Sequence, residues 1–401
     1  MRLIGMISGT SYDAVEAVAA DIEMEGASLV CDLLGHESVP YPAEVRSAIS
    51  AILPPAATTI EAVCRLDTAV GRACADVAET MVRRHCGGRI DAVCTHGQTV
   101  FHWVDGGAAL GTLQLGEPAW IAERTGATVI SDVRARDIAA GGQGAPLASL
   151  LDTLLLGGGD RPRVALNLGG IANITVLDPA QRPIAFDTGP ANALIDAAVR
   201  WTTGDGESFD RDGRMAAAGR VDQELLARLL ADPYYAAPPP KSTGKEHFHL
   251  PYLLDAMGSR RIEPHDLVAT VTELSIETVA AAIRQHAPAE IFASGGGTRN
   301  PVLMAGLAGR LPGVSIRRFD ELGVPEAAKE ALLFAVIGFL TLQGIPSTVA
   351  SCTGARHASV LGSITPGSAW PPSGFRTDAS SRRAARMPTG LIVRTPLAGA
   401  S

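Results

Sequence analysis

The sequence predicts an α/β protein of two lobes, and three observations carry that prediction. Short apolar strand candidates alternate with helical stretches along most of the chain. Its 401 residues exceed what one ordinary core accommodates. And one turn chemistry occurs twice: a strand enters a glycine turn and leaves as a second strand, first through Ser8-Gly9-Thr10-Ser11 and, about 160 residues later, through Gly169-Gly170. Glycines in such turns let backbone N–H groups close on an anion with no Cβ in the way, and Asn167, Asn173 and Thr175 add neutral donors around the second. Each lobe therefore has a candidate phosphate-binding hairpin.

Taken in order, Leu3 to Ile7 and Ala14 to Ile22 are the strands of the first hairpin. Ile60, Val63, Leu66, Val70, Cys74, Val77 and Met81 recur at helical spacing and predict a helix over Thr59 to Arg84. A strand over Ile90 to Cys94 delivers Thr95-His96-Gly97-Gln98-Thr99 to its end. Pro118 to Gly126 is a short helix and Ala127 to Ser131 a strand. Asp132 to Pro146 is a long polar, glycine-rich loop, the kind more often functional than idle. Val164-Ala165-Leu166 opens the second hairpin, and Pro183 to Phe186 is a strand ending in Asp187-Thr188-Gly189-Pro190. A helix starts near Asn192 with Leu194, Ile195, Ala198 and Val199 on one face. Further on, Phe209 to Gly213 is a charged turn, Val221 to Leu230 a helix and Pro238 to Glu246 a rigid basic loop. Asp266 to Gln285 is a helix, and the strand Glu290 to Ala293 empties into Ser294-Gly295-Gly296-Gly297. A helix follows from Pro301, Val314 to Arg318 is a strand, and Ala327 to Thr341 is a strongly apolar helix carrying Glu330. The expected lobes are 1–135, completed by about 345–366, and 136–344; residues 367–401, rich in Pro, Ser, Arg and Ala, are expected to be a disordered tail.

Composition narrows the function. With 46% apolar and 19% charged residues the chain fits a globular enzyme. A net charge of -8 lacks the basic field that nucleic acid requires. The six cysteines form no CxxC pair, so a zinc site is not expected and a reducing compartment is. The apolar start meets Ser8, Thr10 and Asp13 too early for a signal peptide, and the longest apolar run, Ala331 to Leu340, is far short of the ~20 residues of a membrane span. A cytoplasmic location is expected. Neither a GxxxxGK[ST] phosphate loop nor a GxGxxG dinucleotide turn is present.

Eight motifs in order resemble the actin, sugar-kinase and Hsp70 superfamily, and within it the anhydro-N-acetylmuramic acid kinase family. They are Met6 to Ser11, Thr95 to Thr99, Asp137 to Leu147, Asn167 to Asn173, Phe186 to Pro190, Pro239 to Gly244, Ser294 to Gly297 and Thr353 to Ala355, so the resemblance covers roughly residues 1–366. It departs from the family pattern once. After Gly-Thr-Ser the family usually has a variable residue, Asp-Gly, another variable residue and Asp; here Asp13 is kept, while Ala14 and Glu16 replace the other two.

The resemblance implies an actin-like ATPase (ribonuclease H-like) fold with an interlobe cleft. It also implies a reaction in which ATP, with Mg²⁺, phosphorylates O6 of 1,6-anhydro-N-acetylmuramic acid while water opens the anhydro bridge at C1. Asp187 matches the family's catalytic aspartate; by residue type alone it fits a helix cap equally well. Glu330 is placed in the sugar site as a second catalytic residue. Gly9, Thr10, Ser11, Tyr12, Asp13, Ala14, Val15 and Glu16 are expected at the phosphates, with Asp13 as the Mg²⁺ ligand. Asn167, Gly169 and Gly170 form the second grip, and Gly295, Gly296 and Gly297 pass under adenosine. His96, Gly97 and Gln98 are expected to face the sugar. Arg134 and Arg136 both qualify for its lactyl carboxylate, with Asp137 alongside. The expected partners are ATP and the anhydro amino sugar, the assembly a homodimer, with neither nucleic acid nor membrane. Two other readings fit the same hairpins: a kinase for another sugar, and a nucleotide-driven interaction protein of the Hsp70 or actin type.

Overall fold

A computed structural model describes all residues except Thr10, Ser11, Lys245, Gly374, 376–385 and 396–401. It divides into two compact units, one of Met1–Leu155 with Leu322–Ser401 and one of Leu156–Glu321.

In the first unit, β1 (Arg2–Ser8) pairs antiparallel with β2 (Ala14–Glu25), which pairs antiparallel with β3 (Ser28–Pro40). On its other side β1 takes β4 (Ala92–Asp105) in parallel, and β4 carries both β5 (Ala108–Leu115), antiparallel, and β6 (Thr128–Ser131), parallel. In the second unit, β7 (Arg163–Leu168), β8 (Ile171–Leu177) and β9 (Ile184–Pro190) form an antiparallel meander. Beyond β7 lie β10 (Glu290–Ser294) and β11 (Ser315–Arg318), both parallel. The strand orders β3-β2-β1-β4-β6 and β9-β8-β7-β10-β11 are the same pattern with the same senses. The repeated hairpin thus belongs to a repeated sheet of ribonuclease H-like order, and the α/β expectation holds.

Pleat alternation explains the layers of the first unit. Ile4 and Met6 face the helix Ile60–His85, joining Leu66, Val70, Val77 and Met81 in one core. Leu3 and Gly5 face the helix Lys329–Leu342, which is buried at every position but Glu330. That helix lies against the sheet through glycine on both surfaces. A Cβ on Gly5 would stand 2.0 Å from the Ala331 carbonyl oxygen, and one on Gly338 would stand 2.7 Å from the Cys94 Cβ. In the second unit, Ile276, Val279, Leu303 and Leu307 cover Val164, Leu166, Ile174 and Ile291. A separate helical core gathers Leu194, Ile195, Ala198 and Val199 with Leu225, Leu253 and Val271, as the spacing of the first four predicts.

Four expectations change. The division between units falls after Leu155 and before Leu322, not at 135 and 344, because the Asp137–Gly144 segment and the helix Ala148–Leu156 stay with the first unit. The loop from Asp132 to Pro146 contains the short helix Ala135–Ala139. Neither Asp187 nor the His96 segment stands at a strand end: β9 runs on to Pro190, and β4 continues past a bulge at Gly97 to Asp105. Finally, the expected disordered tail contains a strand. After β12 (Ser363–Thr365), antiparallel to β6, comes β13 (Gly390–Thr395), which extends the sheet in parallel beside β3. Among the described residues no helix is long and apolar enough to cross a membrane.

The glycine contact yields a stability prediction. Gly5→Ala must push the Lys329–Leu342 helix off the sheet and is expected to cost about 3 kcal/mol or more, read as a fall in the urea midpoint. Gly309→Ala, in a helix with open space at the Cβ, is expected to be neutral or to stabilise by about 0.5 kcal/mol.

Candidate active site

In the first unit the parallel pairing of β1 and β4 sets Ser8 beside Gln98, and the Ser8 hydroxyl donates to the Gln98 side-chain oxygen. The hairpin turn begins at this point. Tyr12 N donates to Gly9 O at 3.0 Å, Tyr12 takes φ +45°, and Ser8 pairs with Val15 across the strands. Thr10 and Ser11, expected at the phosphates, lie outside the described residues. Asp13 is exposed, whereas Glu16 is engaged: its carboxylate accepts from Ser38 Oγ at 2.6 Å and pairs with His36 Nε2 at 2.9 Å, both on β3.

His96 is buried at 4% exposure, with both ring nitrogens in use. Arg134 Nε donates to its Nε2 at 2.7 Å, so the proton sits on Nδ1, 3.0 Å from Gly97 O. Burial, with Arg134 beside it, drives the imidazole pKa down to about 3, keeping it neutral. Gly97 is at φ +69°, and a Cβ there would meet Leu115 O at 2.5 Å. Arg134 also donates to Gly144 O at 2.6 Å. Burial lowers its guanidinium to about 10, while Glu330 and Asp137 pull the other way. Glu330 keeps a solvent-exposed face, but the protein crowded around it raises its carboxyl above the ordinary range, against Lys329 and Arg134. Asp137 is wholly buried with both carboxylate oxygens taken, accepting from Gly144 N on its own loop and from Thr353 Oγ1 far along the chain, each at 2.8 Å. Arg136 is exposed. Arg134 therefore links His96 and, through charge, Glu330, while Gln98, held by Ser8 and the Thr99 carbonyl, His96 and Asp137 act as supports with their polar atoms taken.

In the second unit one row crosses the sheet. Asn167 on β7 pairs with Asn173 on β8, and Asn173 with Asp187 on β9, so the three side chains share a face. All three are half-buried. Beside Asn167, in parallel, is Ser294 at the end of β10, where Gly295 takes φ +91°. A Cβ on Gly295 would stand 2.6 Å from Asn167 Oδ1, and one on Gly297 2.7 Å from Leu168 Cβ. The Gly295–Gly297 turn is thus pressed onto the end of β7, just before the Gly169-Gly170 turn, and at 295 and 297 only glycine permits the approach. The helix Asn192–Thr203 docks there as well, Asn192 N donating to Gly169 O at 3.1 Å and its side chain to Leu168 O at 2.9 Å. Next to Gly296 opens a cleft of about 450 Å³ with Asn192, Asp196, Arg200, Phe209 and Asp212 in its wall. Arg211 lies over the Phe209 ring at 5.1 Å.

Asp187 has one carboxylate oxygen held: Thr243 N donates to Oδ2 at 2.9 Å. Burial raises its carboxyl to about 6, helped by Glu246 and opposed by the Thr243 bond. Its carbonyl accepts from Tyr234 Oη at 2.8 Å, and its N–H donates to Lys241 O at 3.1 Å. It caps no helix; the helix that follows, Asn192–Thr203, has Ala191 at its N-cap and no side-chain cap. Tyr234 and Thr243 have no role assigned from sequence, and His247, two residues from His249 with no companion ligands, reads there simply as a loop residue. The signal available was Pro239 to Gly244, a motif without an assigned role. Among the described residues, no three His, Cys, Asp or Glu side chains cluster as metal ligands would.

The comparisons with known proteins agree over nearly the whole chain. A family model described as anhydro-N-acetylmuramic acid kinase matches residues 1–367. The protein of that name from Streptomyces coelicolor is 59% identical over 368 residues, 92% of this chain and 94% of that one. Its counterpart from Rhodococcus erythropolis is 55% identical over 376 residues, 92% and 95% of the two chains. A solved xylulose kinase from Rhodospirillum rubrum aligns with 84% of this chain and 90% of its own at TM-score 0.43 and 15% identity, too distant to bear on the site. The chain belongs to the anhydro-N-acetylmuramic acid kinase family.

Proposed function

We propose that the protein transfers the γ-phosphoryl group of ATP to O6 of 1,6-anhydro-N-acetylmuramic acid while water adds at C1, giving N-acetylmuramic acid 6-phosphate and ADP, in the reuse of cell-wall sugars. The observation that carries the proposal is the state of Asp187: a carboxyl raised to about 6, with one oxygen fixed and the other free of protein donors among the described residues. That is the condition of a general base near neutral pH. It takes a proton from water as the C1–O6 bond breaks, and the freed O6 receives the phosphoryl group.

The remaining roles follow the local chemistry. The Gly169-Gly170 and Gly295–Gly297 turns, which follow the adjacent ends of β7 and β10, supply backbone N–H groups to phosphates, and the cleft beside Gly296 receives the nucleoside. Arg134, whose guanidinium is anchored by neutral His96 and the Gly144 carbonyl, faces the sugar's carboxylate, and Glu330 serves elsewhere in the sugar site. Mg²⁺ usually arrives with the nucleotide and needs only one or two protein carboxylates, and Asp13, exposed beside a Glu16 already paired, suits that role. Bound there, the ion would neutralise charge on the phosphates. The family relationship favours this substrate over another sugar.

Two outcomes are expected. With ATP, Mg²⁺ and the anhydro sugar, Asp187→Asn should lower kcat by about 10²–10⁴-fold, measured as ADP release, with ADP binding retained. Undiminished turnover would remove Asp187 from the base role. Because the base acts unprotonated, kcat/KM should rise with pH through a limb near 6 and level off above it, so a wild-type profile flat from pH 5 to 8 contradicts the assignment.

A further inference from the structure

We infer that a closed ring of hydrogen bonds through Tyr234, Asp232, His247 and Thr243 is a positioning frame that sets the orientation of Asp187; the inference rests on the reading of Asp187 as the base. From Asp187, the ring leaves through the main chain and returns to the carboxylate. Its carbonyl accepts from Tyr234 Oη at 2.8 Å. Tyr234 N donates to Asp232 Oδ1 at 2.8 Å, and Asp232 Oδ2 lies 3.0 Å from His247 Nε2. His247 Nδ1 lies 3.4 Å from Thr243 Oγ1, and Thr243 N donates to Asp187 Oδ2 at 2.9 Å. The directions close when His247 carries its proton on Nε2, donating to Asp232 and accepting from the Thr243 hydroxyl.

The frame is braced from outside the ring. Lys241 Nζ donates to the carbonyls of Tyr234 and Tyr235 at 3.0 and 3.1 Å and lies 4.6 Å from the Tyr234 ring centre. The same residue's carbonyl accepts from Asp187 N, so the loop grips the edge of β9. The His247 ring stacks on buried Phe248 at 4.2 Å. None of this is needed to close a loop, yet it fixes one carboxylate oxygen and leaves its twin unheld. Among the described residues the charged and titratable groups facing Asp187 are Glu246 on the loop and Tyr234 on the helix Pro233–Ala236; from β8 it meets neutral Asn173. Among the described residues the Thr243 N–H is what favours the ionised carboxylate, so a loosened frame lets the carboxyl hold its proton to higher pH.

The test is to label the full chain with ¹³Cγ-aspartate, assign Asp187 with Asp187→Asn, and titrate the carboxyl in wild type, Tyr234→Phe and Thr243→Val. Thr243→Val keeps the backbone donor and the shape but loses the hydroxyl that reaches His247. Both variants are expected to raise the Asp187 midpoint by about one pH unit and to move the acid limb of kcat/KM with it. They should also lower kcat about tenfold with KM for ATP unchanged. A midpoint unmoved in both variants overturns the frame, even where kcat falls. The titration needs no turnover, so it judges the frame separately from the base reading, which stands or falls on the activity of Asp187→Asn.

Discussion

Parallel pairing of the first and fourth strands decides where chemistry can sit in each unit. Pairing β1 with β4 sets Ser8 beside Gln98, and pairing β7 with β10 sets Asn167 beside Ser294. Segments far apart in sequence thereby deliver their polar residues to one end of one sheet, where open α/β sheets keep their ligands. The glycines are consequences of that pairing. Gly295 and Gly297 are required because the chain leaving β10 passes within contact of Leu168 at the end of β7. Gly5 and Gly338 serve the same pairing from behind, letting the Lys329–Leu342 helix lie close enough to bury the first unit's sheet.

The two units treat their charges in opposite ways. Arg134 is pinned by a histidine that burial keeps neutral, so the imidazole acts as an acceptor and the cation keeps its direction. A lysine there would offer one point charge with no fork to divide between His96, Gly144 and a ligand. Asp187 has one carboxylate oxygen held by a single backbone donor and is otherwise largely buried with Glu246 nearby, an arrangement that raises its pKa. A second donor would have lowered that pKa and cost it basicity.

Much of this was legible in the sequence because it is local. The glycine hairpins, the helix face of Leu194, Ile195, Ala198 and Val199, and the buried Lys329–Leu342 helix all write their structure into neighbouring residues. The illegible parts depend on distant partners. The strand β13 is a short run in a Pro- and Arg-rich tail and becomes a strand only by pairing with β3, more than 350 positions away. Asp187 falls inside β9 because Ala172 and Gly189 remain paired beyond it, across a register shift no local pattern reveals. The roles of His96 and Asp137 were missed in part because residue type says nothing about whether every polar atom is already taken.

The departure in the first hairpin has a structural reason. A glycine after Asp13 would be required if that position took a left-handed conformation, but among the described residues of the turn the positive φ falls on Tyr12, not on Ala14. Alanine therefore fits without strain. Glu16, one methylene longer than the family's aspartate, spends that reach across the strand on His36 and Ser38. Its charge is thereby satisfied on the sheet, and Asp13 is left as the exposed acid among the described residues of the hairpin turn.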